Sequence, residues 1–159
     1  MTIRQCFPCK ACCEGWLTAK IGEAEIFPGK PCINLTERGC GIYDDRPEVP
    51  CRSFKCGWLN DPVMIPEHMK PESCGAIVLL DRKWHGRNVI RAVPTGEQIP
   101  AATLEWLMAF SREQSLPLLF VEYLMRDEKF IGIKKKGYGP PSFIRAVETE
   151  VEPEDIIKF

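Results

Sequence analysis

The chain has 159 residues, 45% apolar and 27% charged, which suits one domain, or a domain with a small module attached, and excludes a disordered tail. Its 21 Lys+Arg against 22 Asp+Glu leave no field that would gather nucleic acid or anionic lipid, which argues against a nucleic-acid partner except through a local patch. Charged residues interrupt every apolar run short of the roughly 20 residues of a membrane span. The stretch from Met1 to Gln5 is too short and polar for a signal peptide. The expectation is a cytoplasmic protein without a membrane segment.

The first element in chain order is Cys6-Phe-Pro-Cys9-Lys-Ala-Cys12-Cys13, and a second group follows at Cys32, Cys40, Cys51 and Cys56. Two residues between cysteines let a tight turn aim both sulfurs at one ion, a spacing shared by zinc knuckles and ferredoxin-type clusters. All nine cysteines lie in the first 74 residues and the last 85 have none, which is unlike a secreted disulfide scaffold and more like a set of metal ligands or redox centres. Eight of the 14 prolines fall in the same part, so it is not regular helix. Metal bonds would supply the order that its modest apolar content does not.

A division near Ser73–Gly75 gives a cysteine-cluster metal-binding region at 1–74 and an α+β region at 75–159, expected to belong to one compact unit. In the second region, Ala76 to Leu80 and Asn88 to Val93 read as strands around a turn at Arg82 to Arg87. Pro100 opens a helix to about Gln114, with Leu104, Leu107, Met108 and Phe110 as its apolar face. Leu118 to Tyr123 and Lys129 to Ile133 read as two more strands joined by a turn at Met125 to Glu128. The fold class is therefore α+β: an irregular Cys/Pro-rich region packed on a small antiparallel or mixed sheet with one main helix.

The eight cysteines from Cys6 to Cys56, with Tyr43, Arg46, Pro47, Arg52 and Phe54, resemble the CxxCxxCC (YkgJ-like) cysteine-cluster family, described as zinc- or iron-chelating proteins. The likeness covers roughly residues 6–56. It implies metal chelation and says little about a reaction. Flagellin lysine methylases look related through the same cysteines, but no cofactor-binding fingerprint accompanies them here, so methylation is not carried over.

Eight thiolates satisfy two four-coordinate sites and leave Cys74 spare. Adjacent side chains point apart, so Cys12 and Cys13 serve different metals or different corners of one cluster, and the pairing stays open. Lys10, Lys30, Arg38, Arg46, Arg52 and Lys55 are candidates to offset the thiolate charge, with a solvated basic surface as the rival reading. Cys74 reads as a buried thiol, and His68 and His85 as ordinary polar residues. Lys134–Lys136 reads as a solvated edge after the last strand, and Gly137 to Pro141 as a bend. No hydrolase constellation is visible. Zinc and an iron–sulfur cluster fit the ligand set equally. The expected function is a metal-binding protein with a folding or partner-binding role. An iron–sulfur redox protein or oxidoreductase is the alternative, a thiol or metal carrier is a third reading, and the identity of a protein partner and the presence of catalysis stay open.

Overall fold

The computed structural model describes residues 3–147 and the backbone of 156–158. The protein is a mixed helix-and-strand fold built on a five-stranded sheet in sequential order: β5 (Ala76–Trp84), β6 (Arg87–Pro94), β7 (Leu118–Arg126), β8 (Lys129–Gly139) and β9 (Ile156–Lys158). Four shorter strands precede it. They form two antiparallel hairpins, β1 (Ala19–Ile21) with β2 (Ala24–Ile26), and β3 (Leu35–Thr36) with β4 (Gly39–Cys40). Two single-turn helices, α1 (Gly57–Asn60) and α2 (Pro71–Cys74), lead into β5.

The sheet is mixed. Strands β5 and β6 pair antiparallel, as do β7 and β8, whereas β6–β7 and β8–β9 are parallel. Parallel neighbours need a crossover, and helix α3 (Ala101–Gln114) supplies the one from β6 to β7. A second helix, α4 (Pro141–Val147), lies between β8 and β9 in the chain.

Both faces of the sheet are apolar, so strand residues alternate between two cores. On one face Ala76, Val78, Ile90, Ala92, Leu118 and Phe120 pack with Leu107 and Phe110 of α3 and with Trp58, Ile65 and Met69 from the front of the chain. Full burial of Leu107 contributes about 2 kcal/mol. The opposite face has two patches. Ile77 and Leu79 pack with Ala11, Cys9, Cys12 and Trp16, while Val89 and Leu119 pack with Phe143 and Ile144 of α4. The cysteine-rich segment therefore wraps the β5 edge and reaches both faces.

Arg4 fastens that wrapping. Its guanidinium donates to the carbonyl oxygens of Trp58 at 2.6 Å and Ile65 at 2.7 Å, pairs with Glu67 at 3.2 Å and stacks on the Trp58 ring. At the far side the Tyr123 hydroxyl donates to the carbonyl oxygen of Trp16.

Several boundaries differ from the sequence reading. The β5–β6 turn is confined to His85–Gly86, and both strands are longer than expected, with an irregularity between Leu79 and Arg82. The buried stripe of α3 is Thr103, Leu107, Phe110 and Ser111, with Leu104 and Met108 half-buried at its flank. Lys134–Lys136 lies inside β8 and is no tail after it, because Lys136 pairs at 2.7 Å with Glu122 on the adjoining strand. Gly137–Gly139 is strand and not a bend, since all three residues pair with β9 and Gly137 and Tyr138 also pair with β7. Helix α4 was not expected from the Pro140–Pro141 pair, yet Pro141 occupies its first turn, where a missing N–H costs nothing.

Candidate metal centre

The Cys6–Cys13 loop is coiled by local hydrogen bonds. The N–H of Cys9 donates to the carbonyl of Cys6 at 2.7 Å, that of Glu14 to Lys10 at 2.9 Å, and that of Gly15 to Cys12 at 3.2 Å. In such a coil residues three apart share a side, which groups Cys6, Cys9 and Cys12 and turns Cys13 away. Cys9 and Cys12 are half-buried against Ile77 and Leu79 of the sheet, and Cys56, at the start of α1, packs in the same cluster beside Phe54.

Cys13 belongs to another neighbourhood. Its carbonyl accepts the N–H of Cys32 at 2.8 Å, and the carbonyl of Cys32 accepts that of Leu35 at 3.0 Å. Leu35 stands opposite Cys40 across the β3–β4 hairpin. The N–H of Asn34 points at the Cys32 sulfur at 3.5 Å, the kind of donor that thiolate ligands accept. Cys51 lies on the turn at Glu48–Arg52.

Electrostatic coupling separates the thiols in the same way except for Cys6, which faces Cys40. The Cys12 thiol feels Cys6, Cys56 and Cys9 ahead of Cys13, whereas Cys13 feels Cys40, Cys32 and Cys51 ahead of Cys6. Cys51 couples to Cys32 and Cys40. Cys9, Cys12 and Cys56 thus lie together on the sheet and Cys13, Cys32, Cys40 and Cys51 form a second neighbourhood, with Cys6 coupled to both and itself facing Cys40. Among the described residues no three His, Cys, Asp or Glu side chains converge in a finished ligand shell.

Burial is the main force on them. It lifts the Cys9 thiol to about 11 and Cys13 to about 12, and pushes Cys12 well up. Cys6, Cys51 and Cys56 are raised as well, again by burial first. Neighbouring thiolates raise the values further, since like charges disfavour ionisation. Arg46 works in the opposite direction on Cys6 and Cys51. Its guanidinium is held by the Tyr43 carbonyl at 2.7 Å and lies 3.7 Å over the Tyr43 ring, which in turn meets Phe7 edge-on.

The other cations named from the sequence are placed differently. Lys10 donates to the Glu37 carbonyl at 3.0 Å, Arg52 to the Asp44 carbonyl, and Lys30 sits over the Phe27 ring. Arg38 and Lys55 are exposed. Cys74 is buried, with its thiol directed at the carbonyls of Met69 and Ala76. His68 stands edge-on to Trp106, and His85 against Trp84 in the exposed β5–β6 turn. Glu72 was not anticipated. Its carboxylate opposes ionisation of Cys6 and Cys9, a proximity created by the fold of α2 and invisible in residue spacing.

Gly15 is a second residue that the sequence did not single out. Its φ is +95°, and a Cβ there would lie 2.2 Å from the carbonyl oxygen of Phe27. Only glycine lets the chain leave the cysteine loop and pass the end of β2. Comparison of the chain with protein families, curated proteins and solved structures finds no match. Among the described residues no helix is long and apolar enough to cross a membrane.

Proposed function

We propose that this chain binds metal through two four-cysteine sites, Cys6/Cys9/Cys12/Cys56 and Cys13/Cys32/Cys40/Cys51, and that the bound metal orders residues 1–74. The observation that carries the reading is the sorting of the thiols into one neighbourhood around Cys9, Cys12 and Cys56 and another around Cys13, Cys32, Cys40 and Cys51, with Cys6 adjoining both; assigning Cys6 to the first gives four ligands each, the number of tetrahedral zinc and of common iron–sulfur clusters. The donor set fits. Soft sulfurs crowded into a half-buried space repel one another when ionised, and a cation removes that penalty by replacing the protons.

Such a centre supplies folding energy when closed by four protein ligands and electron transfer when it is iron–sulfur. The residues of the chain position it. The coil at Cys6–Cys13 and the β3–β4 hairpin present the sulfurs, the Asn34 N–H faces the Cys32 sulfur, and Arg46 offsets part of the negative charge. The resemblance of residues 6–56 to CxxCxxCC proteins supports the same reading. A reducing compartment such as the cytoplasm would keep these thiols available, and the ordered front region would then offer a surface to a protein partner.

The experiment is metal analysis of Cys12→Ser and Cys13→Ser beside the unaltered protein, purified without oxygen. Each variant is expected to lose about half of the bound metal, because the two adjacent residues serve different sites. Unchanged metal in both variants would sink the ligand assignment. Complete loss in both would replace two sites by one shared cluster.

A further inference from the structure

The sheet face that carries the cysteine segment also holds a cavity of about 540 Å³, walled by Leu17 and Thr18 of that segment and by strands β5 to β8, with no cysteine in its lining. Its apolar lining includes Leu17, Leu79, Leu119, Val121, Tyr123 and Ile133, and it contains two cations, Arg91 and Lys135. Pairing explains the grouping. Arg91 of β6 stands opposite Leu119 of β7, and Val121, two residues on and on the same face, stands opposite Lys135 of β8. The two basic residues are therefore separated by two strand spacings and two residues along the strand, roughly 12 Å at the backbone. Each side chain is long enough to lean towards the other.

Both are exposed, and among the described residues neither makes an ion pair or a side-chain hydrogen bond. Lys136, by contrast, pairs with Glu122 on the opposite face. A sheet face left to water is ordinarily polar, but here Ile133 in the cavity wall keeps 45% of its surface exposed. An apolar concavity of this size with a few placed polar groups has the form of a small-molecule site. We propose that it binds a carboxylate with an apolar tail. The acid would sit between Arg91 and Lys135, with the tail along Val121, Leu119 and Leu17. Arginine's planar fork suits a carboxylate, and two cations over an apolar floor select an anion over its neutral counterpart.

Calorimetric titration of the full-length protein with decanoate, and with decanol as its uncharged match, tests this. One saturable decanoate site per chain is expected, with decanol at least about tenfold weaker, the loss of roughly one charge-assisted contact. The double variant Arg91→Gln, Lys135→Gln should weaken decanoate by a similar factor while retaining the metal content and melting temperature of the unaltered protein, which keeps the result separate from the cysteine sites. Absence of saturable decanoate binding, equal binding of decanol, or unchanged affinity in the double variant would each overturn the proposal.

Discussion

Replacement of Gly15 by alanine tests how the cysteine loop is held against the rest of the fold. The left-handed conformation costs an L-residue about 1–2 kcal/mol. The added Cβ would also meet two backbone atoms of Phe27, the oxygen at 2.2 Å and the carbon at 2.6 Å, and no rotamer change clears backbone. Forcing the β2 end and the loop apart adds about 1–3 kcal/mol, the range for overpacking. The sum, about 2–5 kcal/mol, corresponds to a fall in melting temperature of about 5–15 °C for a chain of this size. Gly22 is the control, with φ +62° and no atom within 4 Å of its added Cβ. Gly22→Ala should cost only the conformational part, about 1–2 kcal/mol. Thermal melts followed by circular dichroism in excess chelator compare the two without the contribution of metal. A Gly15→Ala protein that melts with the unaltered chain, or no lower than Gly22→Ala, would refute the loop packing.

Arg4→Ala removes two donors from the Trp58 and Ile65 carbonyls and should destabilise by about 2–4 kcal/mol, with Arg4→Lys recovering part, as read in urea titrations. Tyr123→Phe should cost about 1 kcal/mol through the lost bond to Trp16. Burial raises the Tyr123 hydroxyl to about 12, so its contribution is complete below pH 10, where the free phenol titrates, and disappears as pH rises to about 12. The alkaline loss of stability over that interval should therefore be shallower in the Phe variant. The thiols give metal binding the opposite pH dependence to that of the metal-free fold. With pKa values above 9, the metal-free chain holds its protons and weakens as pH rises from 9 towards 12, whereas metal must displace those protons. Zinc affinity should rise from pH 6 to pH 8, with about four protons released per ion in a weakly buffered indicator assay. A pH-independent affinity would contradict thiol ligation.

The β5–β6 hairpin and α3 were legible because their apolar residues follow a strand or helix period over a long enough run. Helix α4 was hidden by a proline pair that reads as a break, although one of the two suits a helix start. Strand β8 was cut short by its lysines, whose pairing with Glu122 depends on a register that no local pattern reveals. The parallel step from β6 to β7 was likewise undetermined, because alternation identifies a strand's faces and not its neighbour. At the candidate metal centre, spacing singled out eight cysteines but not which of them the fold makes neighbours. That depends on Cys32 folding back onto the Cys13 carbonyl and on Cys56 arriving beside β5, both long-range events. Arg46 stood out only as one of six cations until its stacking on Tyr43 placed it near Cys6.

The most direct test of the central claim is elemental analysis with an absorption spectrum on the intact protein purified without oxygen, paired with a count of reactive thiols. The account predicts about two zinc ions per chain and a colourless spectrum, or iron with acid-labile sulfide and absorption near ~400 nm, with roughly eight thiols protected until metal is removed. A folded, metal-free protein that keeps all nine thiols free would contradict it.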